Sequence, residues 1–512
     1  MKAKKVVIWL AVAIVVISGI YIAAKRQVPV GEDYATSTVQ EEMAVVPMTQ
    51  WVTITIDGNP ISVDTYAQNV WYDAKQLTTE RPMEVTVSDF AGCTITINGI
   101  PITANGTISL QLERIHGYDG IEIYTKNMTT QAESRNYIRT LPIGYQNATI
   151  LSNDPEDGYY YFNLDSYIYK IDTTGNVVFY KKLDTADGIP GGFDFKRTEV
   201  DGKVYYSYMN SNTPPDKAFM SGVGYARSYA TVLDENYNEI DRVLYLLEGE
   251  DLSYGNPLEN HQFTILGEGH YLVSGYVGKR VNNFPDDVPH SKLGARVVAN
   301  IIQEIKDGQV VWEWDSTDYP ELYAMSVENN DYFNKDSQWA DYAHFNAITI
   351  DPKDNNFLCS FRNLNAILKL DRATGEILWV LGGKGDQFGL TEEQKFSRQH
   401  DIRVAADGGY TLFNNGNDGP IGEGGSTDIR KFYLDEINKT VIGFEQYKLE
   451  GSFSWATGSA QELSDGHYVI GWGARGTQNA MFSEIDFLNN KVLFEFCYPT
   501  EYFTYRVYKD QN

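Results

Sequence analysis

Cysteine and positive charge are both scarce in this chain. Its 512 residues include three cysteines, Cys93, Cys359 and Cys497, which are widely separated and odd in number. That spacing matches no disulfide framework or metal motif, so we expect buried free thiols. The 42 Lys and Arg residues face 69 Asp and Glu residues, which gives a net charge of −27. Nucleic-acid partners are therefore disfavoured, and an anionic substrate would need a local basic group.

Long apolar runs are also scarce, and one stretch stands out. Residues 6–24 are uncharged and mostly apolar, follow three lysines within Met1–Lys5, and are long enough to span a bilayer. Because no small-x-small cleavage site precedes Lys25, we favour an uncleaved signal anchor over a cleaved signal peptide for residues 1–25. We expect a polar linker over 26–50. The rest of the chain should lie outside the cytoplasm, at the cell surface or in the periplasm, and touch the membrane through the N-terminal helix only.

Short alternating stretches and tight turns fill the region that follows. Residues 51–143 contain VTITIDGNPISV from Val52 and TITINGIPITANG from Thr94, with Asp-Gly and Asn-Gly turns. Apolar and polar residues that alternate with period two, interrupted by such turns, are typical of β-hairpins. The pattern predicts a small N-terminal β-sandwich domain.

Two kinds of hairpin alternate through residues 144–512. Turns of the first kind begin at Asp157, Asp201, Glu268, Asp351, Asp407 and Asp465, and hairpins of the second kind begin near 168, 231, 301, 367, 431 and 482. Two hairpins make a four-stranded antiparallel sheet, so six units of roughly 60 residues predict an all-β, six-bladed β-propeller. Two long β-sandwiches would also use twelve hairpins, but the strict alternation favours blades.

Three of the seven histidines occupy equivalent positions in successive units. His261, His344 and His400 each open the first strand of a unit, and the same offset selects Asp194 and Gly458 in two other units. The first strand of each propeller blade lines the central channel, so equivalent strand ends meet around the axis. We therefore expect these three imidazoles to lie together, although they are far apart in sequence.

The unit that begins at His344 adds two further polar side chains. It reads HFNAITIDPKDNNFLCSFR, and an antiparallel hairpin brings its first residue opposite its last, Arg362. Asn346 lies two residues along, on the same strand face as His344. Taken singly, such histidines are more often packing residues, and such an arginine is more often an ion-pair partner. The common register, together with the motifs described next, favours a reactive cluster.

Several ordered motifs resemble those of a known family. They are YIRTLP at 137, HFNAITID at 344, CSFRNLNAILKLD at 359, ILWVLGG at 377 and QHDIRV at 399, followed by LFNNGND. From about residue 50 to the C-terminus, the chain is similar to the bacterial PAPS-independent arylsulfate sulfotransferases. The resemblance implies a six-bladed catalytic propeller preceded by a small β-sandwich. Some members carry a close cysteine pair, which this chain lacks.

The resemblance also implies roles for five polar residues. The QHD motif assigns a transiently sulfurylated histidine to His400, and Arg362 would bind the sulfate oxygens. His344 and Asn346 of the H-x-N motif would donate further hydrogen bonds, and His261 would act as general acid and base. The implied reaction is a ping-pong transfer from an aryl sulfate donor to a phenolic acceptor through sulfohistidine, without nucleotide, cofactor or metal.

Two other functions stay open on the sequence. A non-enzymatic surface scaffold would bind a partner or glycan across the blade tops, and an aryl sulfate hydrolase would use water in place of the phenol. The transferase needs small-molecule partners only, the donor and the acceptor, and a homodimer is compatible with it. We expect a long loop from about 279 to 340, with Asn282, Asn283 and Asp286, to set acceptor choice.

Overall fold

The structure is a computed structural model that describes residues 51–510 apart from short gaps. The gaps are 57, 66–67, 75–82, 89–91, 112, 116–117, 141–144, 184, 186–190, 212–223, 225, 248–255, 336–337, 418–424 and 477. The predicted anchor at 1–25 and linker at 26–50 lie outside the described residues. Among the described residues, no helix is both long enough and apolar enough to cross a membrane. The chain divides into two compact units between Ala148 and Thr149.

The N-terminal unit is a pair of packed sheets. Its strands are β1 (Trp51–Ile56), β2 (Asn59–Asp64), β3 (Trp71–Ala74), β4 (Met83–Ser88), β5 (Cys93–Ile97), β6 (Ile100–Ile102), β7 (Gly106–Leu110), β8 (Glu113–Ile115), β9 (Tyr118–Asn127) and β10 (Glu133–Thr140), followed by a 3-10 turn at Tyr145–Asn147. One sheet has the order β2-β1-β4-β7, and the other has the order β3-β10-β9-β5-β6 with β8 beside β9. In β1, Val52, Ile54 and Ile56 are buried and Thr53 and Thr55 are half-buried, as period-two alternation predicts. Apolar residues of both sheets form one core, which is the two-layer arrangement that the sequence predicts.

The C-terminal unit consists mainly of antiparallel strands. In chain order they are β11 (Thr149–Ser152), β12 (Tyr159–Leu164), β13 (Tyr167–Asp172), β14 (Val177–Lys182), β15 (Gly191–Val200), β16 (Lys203–Ser211), β17 (Ser228–Leu233), β18 (Glu239–Val243), β19 (Thr264–Gly267), β20 (His270–Val281), β21 (Ala295–Lys306), β22 (Gln309–Asp315), β23 (Phe345–Ile350), β24 (Phe357–Phe361), β25 (Ala366–Leu370), β26 (Ile377–Gly382), β27 (His400–Val404), β28 (Tyr410–Asn414), β29 (Asp428–Asp435), β30 (Thr440–Tyr447), β31 (Ser454–Ala456), β32 (Ser459–Ser464), β33 (His467–Gly471), β34 (Ala474–Arg475), β35 (Ala480–Asp486), β36 (Lys491–Cys497) and β37 (Val507–Asp510). Helical segments in its described part are α1 (Glu321–Met325) and 3-10 turns at Ser316–Asp318, Arg362–Leu364 and Gly383–Gly385.

Six antiparallel sheets of four or five strands follow one another in the described part of this unit. Sheets 2 to 5 are built from consecutive strands: β15 to β18, β19 to β22, β23 to β26 and β27 to β30. Sheet 1 has the order β14-β13-β12-β37, and sheet 6 has the order β11-β36-β35-β33-β32, while β31 pairs separately with β34. The fold is therefore all-β and propeller-like, as the alternation of hairpins predicts.

The first strand of the unit, β11, belongs to sheet 6, and the last strand, β37, belongs to sheet 1. A local hairpin around the turn at Asp157 would pair Thr149–Ser152 with β12, but this segment pairs with Lys491–Cys497 of sheet 6. Val507–Asp510 supplies the fourth strand of sheet 1 instead, with Val507 opposite Phe162. The local hairpin prediction is wrong here because pairing the two ends of the unit covers an otherwise open sheet edge.

Side chains of the inner strands bind the backbone of the following sheet. An N–H group of one inner strand donates to a side chain of the preceding one: Phe263 to Asp194 (3.1 Å), Ile348 to Gln262 (3.0 Å), Ala460 to Asp401 (2.9 Å) and Lys509 to Gln461 (2.8 Å). Between sheets 4 and 5 the side chain of the preceding strand is the donor instead of the acceptor: Nδ2 of Asn346 donates to the carbonyl of Gln399 at 2.7 Å. Successive inner strands are therefore direct neighbours, and β37 continues the series from sheet 6 to sheet 1.

Buried charges on the third strands make a second set of links between sheets. The contacts are Lys369 with Glu436 (2.8 Å), Lys431 with Glu462 (2.9 Å) and Glu484 with Lys509 (2.6 Å). The side chains of Lys369, Lys431 and Glu484 are all at most 1% exposed. Since a buried charge without its partner is strongly unfavourable, each pair holds two neighbouring sheets in register.

The prediction of a long loop over 279–340 is wrong for much of that range. β20 extends to Val281 and pairs along its whole length with β21, so the segment between these strands is a hairpin loop at 282–294. The irregular part begins after β22 and carries α1. Asn282 and Asn283 lie in this shorter loop, whereas residues 279–281, where the predicted loop begins, are held in β20 by pairing with β21.

Candidate active site

Three imidazole rings lie at the starts of the inner strands of sheets 3, 4 and 5. His261 precedes β19, His344 immediately precedes β23, and His400 begins β27. The ring centroids of His261 and His344 are 5.1 Å apart, with the planes inclined at 80°. All three side chains are buried, and the charges of His261 and His344 act on the pKa of His400. The structure therefore brings the three predicted histidines into one site.

Each imidazole is held through the same ring nitrogen. The Nδ1 partners are Glu259 for His261, Asp341 for His344 (2.5 Å) and Asn415 for His400 (2.7 Å). None of the three Nε2 atoms forms a hydrogen bond with a described residue. Anchoring one nitrogen fixes the orientation of the ring and leaves the other nitrogen for a ligand.

The environment of His400 makes it a neutral ring with a defined tautomer. Nδ2 of Asn415 donates to the carbonyls of Ser454 and Thr457, both at 3.0 Å, so Oδ1 is the atom that faces His400. An acceptor at that position places the ring proton on Nδ1 and the lone pair on Nε2. Burial lowers the pKa of His400 well below 6.5, and the charge of Arg362 lowers it further, against the opposing effect of Asn415. Nε2 is therefore free to act as a nucleophile.

Arg362 lies where the hairpin geometry predicts. Its backbone N–H donates to the carbonyl of His344 at 2.9 Å, so the two residues face each other across β23 and β24. Nη1 donates to Oδ1 of Asn363 at 2.8 Å and lies 3.4 Å from Oε1 of Glu328. The Nε and Nη2 atoms make no hydrogen bond with the described residues. One edge of the guanidinium is therefore held by protein, and its other N–H groups are available to oxygens of a ligand.

Asn346 is buried in the site, and one N–H of its amide has a partner. Nδ2 donates to the carbonyl of Gln399, the residue before His400, at 2.7 Å. Its backbone carbonyl accepts from Nη2 of Arg506 at 2.8 Å. These contacts tie Asn346 to the strand that carries His400, and the second N–H of the same Nδ2 makes no hydrogen bond with a described residue.

His344 and Asp341 form a buried pair with little room for two charges. Burial raises the pKa of Asp341 to about 7, against the lowering effects of Arg362 and His261. Burial also lowers the pKa of His344 well below 6.5, and the charge of Arg362 lowers it further. Both directions favour a neutral pair joined by one shared proton.

His261 is held more firmly than the sequence indicates. A single oxygen of Glu259 accepts from its Nδ1 and, at 2.7 Å, from its backbone N–H. The other carboxylate oxygen accepts from Oγ of Ser274. The rings of Tyr276 and Tyr505 lie 5.9 and 5.8 Å from the imidazole, so the ring is enclosed by aromatic surface.

Sequence reasoning missed the three anchors of the imidazoles, Glu259, Asp341 and Asn415. Short local signals were present: ENH places a carboxylate two residues before His261, and DYAH places one three residues before His344. Asn415 is the second asparagine of LFNN, which directly follows the strand paired with β27. An acceptor near a histidine is a recognisable sign of a ring held in one tautomer.

Asp194 has the offset of the histidines but does not join their cluster. Its carboxylate accepts from Nη1 of Arg506 at 3.2 Å and pairs with Lys196, and it also caps Phe263. The residue therefore belongs to an ion network at the inner strands that joins sheets 1, 2 and 3.

The described residues contain no group of three or more His, Cys, Asp or Glu side chains that could hold a metal ion. The three cysteines are free thiols, with Cys93 and Cys359 buried and Cys497 half-buried.

Fold and site together define a class: an all-β, propeller-like protein with three buried imidazoles beside one guanidinium. Residues 144–509 match the family model described as Arylsulfotransferase (ASST). The chain therefore belongs to the arylsulfotransferase family, a family of sulfotransferases. No curated protein matches the chain.

Solved structures that resemble this chain are remote from it. A protein of unknown function from Bacteroides caccae is 12% identical with a TM-score of 0.41, and the match covers 70% of this chain and 100% of that chain. A catalytically inactive virginiamycin B lyase from Staphylococcus aureus, in complex with quinupristin, is 11% identical with a TM-score of 0.31, and the match covers 82% and 99%. Both similarities are too weak to bear on function.

Proposed function

We propose that the protein moves a sulfuryl group from an aryl sulfate to a phenolic acceptor, without PAPS, by a ping-pong mechanism through a sulfohistidine at His400. The observation that carries the proposal is a buried, neutral His400 whose Nδ1 is held by Asn415, close enough to Arg362 for its pKa to be lowered by that charge. A neutral imidazole is a competent nucleophile, and a guanidinium matches the oxygens of a sulfate. Family membership supports aryl sulfate as the substrate class.

In the first half-reaction, Nε2 of His400 attacks the sulfur of the donor. An N–S bond forms while the ester S–O bond breaks, and the departing phenolate oxygen takes a proton from His261. Because a phenol has a pKa of about 10, this proton makes the leaving group much better. Negative charge is spread over the peripheral oxygens of the sulfuryl group, so alignment and the fixed charge of Arg362 supply most of the catalysis.

The second half-reaction reverses these steps with a new phenol. The acceptor gives its proton to His261, its oxygen attacks the sulfur, and the N–S bond to His400 breaks. Glu259 keeps Nε2 of His261 directed away from its own carboxylate and stabilises the imidazolium that donates the proton in the first half-reaction and is restored in the second. Both histidines return to their starting states, and no proton is gained or lost over the cycle.

His344 and Asn346 take different roles in the proposal. A protonated Asp341 donates to Nδ1 of His344, which leaves the ring proton on Nε2 as a neutral donor to a sulfuryl oxygen. Asn346 acts through the carbonyl of Gln399 and holds the strand of His400 in place.

The proposal includes six blades arranged around one axis. Six successive sheets, the cap contacts between their inner strands and the supply of β37 to sheet 1 support this arrangement. We further propose that the catalytic unit acts outside the cytoplasm, as expected from the apolar run at 6–24.

The experiment that tests the function is incubation with p-nitrophenyl sulfate, with and without phenol and without any nucleotide. Nitrophenol release that requires phenol supports transfer, release without an acceptor indicates a hydrolase, and no release supports a binding scaffold. Intact-mass measurement after donor alone should find one sulfuryl adduct on the peptide that contains His400.

Two variants complete this experiment. His400→Ala should abolish both the adduct and transfer. His270→Gln changes a histidine at the far end of sheet 3, bonded to Glu304 at 2.7 Å, and should keep both. Turnover like that of the wild type in His400→Ala would refute the assignment of the nucleophile.

A further inference from the structure

Glu328 reaches the reaction site from the irregular segment that follows α1. Its carboxylate accepts from Arg398 through two hydrogen bonds, Nε to Oε1 at 3.2 Å and Nη2 to Oε2 at 2.8 Å. The Oε1 atom also lies 3.4 Å from Nη1 of Arg362. One carboxylate therefore joins the guanidinium of sheet 4 to the residue two positions before His400.

The backbone around Glu328 is tied down on both sides. The N–H of Val327 donates to the carbonyl of Asn363 at 2.9 Å, and Nζ of Lys384 donates to the carbonyl of Ser326 at 2.5 Å. Oγ of Ser326 donates to the carbonyl of Glu328 itself at 3.0 Å. The carboxylate is therefore held in place by the fold, and its side chain is only 18% exposed.

Charge balance gives this contact a consequence for ligand binding. Arg362 has an 11% exposed side chain and Glu328 an 18% exposed one, so their interaction is screened far less than at an open surface. An aryl sulfate brings one negative charge to the same guanidinium, and inorganic sulfate brings two. Either anion must bind beside a carboxylate whose negative charge is shared between Arg362 and Arg398.

We propose that Glu328 is a specificity-determining positioning residue, which holds Arg362 by one edge and weakens the binding of anions to its other edge. The inference rests on the proposed sulfuryl transfer. This repulsion makes the enzyme selective, because an anion that Glu328 repels binds well only if contacts elsewhere in the site add affinity. An aryl sulfate can stack its ring on the aromatic surface of the site, while inorganic sulfate has no ring to stack.

Glu328 also affects His400 through Arg398. The carbonyl of Arg398 lies 3.1 Å from Nδ1 of His400, where it shares the ring proton with Asn415. Arg398 has a left-handed backbone, with φ of 49°, which an arginine adopts only when other contacts hold it. Two hydrogen bonds to Glu328 are among those contacts, so the carboxylate helps to place both the anion-binding group and the nucleophile.

The test compares Glu328→Gln with Glu321→Gln, which removes the same charge from an exposed position on α1. Calorimetry with sodium sulfate and inhibition of p-nitrophenyl sulfate turnover by sulfate measure anion affinity directly. We expect Glu328→Gln to bind sulfate about five- to tenfold more tightly, as a partly buried charge pair implies, and to have a lower KM for the donor. Glu321→Gln should match the wild type in both.

A second variant separates charge from position. Glu328→Asp keeps the charge with a shorter side chain, so its sulfate affinity should stay near that of the wild type while kcat falls. Unchanged sulfate affinity in Glu328→Gln overturns the proposal. Failure of the wild type to transfer sulfuryl groups would refute the proposed function instead, and the calorimetric comparison would still decide the role of Glu328 in anion binding.

Discussion

Oδ1 of Asn415 lies 2.7 Å from Nδ1 of His400 and selects the tautomer of that ring. The amide cannot easily turn, because its Nδ2 donates to two carbonyls of the segment before β32. The segment around β31, which precedes sheet 6, therefore determines which nitrogen of His400 carries the lone pair, and the nucleophile depends on contact between that segment and sheet 5.

Replacing Asn415 tests this relationship. We expect Asn415→Ala to lower kcat by about 10²-fold, because the ring loses the closer of the two acceptors that keep the lone pair on Nε2 and retains only the carbonyl of Arg398 at 3.1 Å. The KM for p-nitrophenyl sulfate should change little, since Arg362 is untouched. The control is Asn489→Ala in an exposed turn, which should behave as the wild type. Equal rates in the two variants would show that Asn415 has no catalytic influence.

The low pKa of His400 predicts activity at acidic pH. Burial shifts this pKa well below 6.5, so the neutral ring persists as the pH falls through 6.5, where an exposed histidine would become protonated. Formation of the sulfuryl adduct, measured in a single turnover, should therefore show no loss attributable to His400 between pH 7.5 and about pH 6. NMR titration of the His400 ring checks the assignment, and a midpoint near 6.5 would contradict it.

Asp341 predicts a change in stability at higher pH. Its carboxyl has a pKa of about 7 in the folded protein against 3.8 in its ordinary state, so the folded state holds the proton more tightly. Stability from this group is complete below about pH 3.8 and is lost as the pH rises towards 7. Asp341→Asn should therefore gain thermal stability relative to the wild type at pH 8 and show a smaller gain at pH 5.

The same variant separates two roles of Asp341. An asparagine can still donate to Nδ1 of His344, so Asp341→Asn should retain much of the activity, whereas Asp341→Leu should lose it. A difference in melting temperature between Asp341→Asn and the wild type that does not vary with pH would contradict the raised pKa.

The ion pair of Glu484 and Lys509 holds the two ends of the unit together, and breaking it should lower stability. Their contact at 2.6 Å joins sheet 6 to the C-terminal strand of sheet 1, and both side chains are 0% exposed. Glu484→Gln leaves the charge of Lys509 buried without its partner and should lower the free energy of unfolding by about 3 kcal/mol. Urea denaturation measures the loss. Glu501→Gln removes an exposed carboxylate nearby in sequence and should leave the midpoint unchanged.

A double variant makes this prediction sharper. Combining Glu484→Gln with Lys509→Met removes both charges and should recover part of the lost stability, because an apolar pair can replace a buried ion pair. If the double variant loses more free energy of unfolding than the two single variants lose together, the ion pair is not the source of the effect.

Local pattern was sufficient for much of the fold. Period-two alternation in stretches such as VTITI and FTILG produces strands, and acidic-Gly turns end them where expected. The repeat of two hairpin types predicted a propeller-like unit, and the spacing of His344 and Arg362 predicted their contact across one hairpin. Each of these features depends on residues close together in the chain, where the local pattern of apolar and polar residues indicates the structure directly.

Features that depend on distant parts of the chain needed the tertiary structure. β37 completes sheet 1 and β11 moves to sheet 6, because closing the unit pairs segments with no local relation. Asn346 donates to the carbonyl of Gln399, which becomes its neighbour only when sheets 4 and 5 meet. Glu328 was not predicted at all, because nothing in its own segment indicates that two arginines from other sheets converge on it.

By itself, the sequence determined which residues form strands, which positions repeat from unit to unit, and the family to which those motifs point. The tertiary structure decided the chemical state of the site. Burial among neighbouring sheets sets the pKa values of His400 and Asp341, and acceptors from other segments fix each imidazole through Nδ1. The physical reason is that desolvation and charge act through space, so they depend on which segments are packed together rather than on their order in the chain.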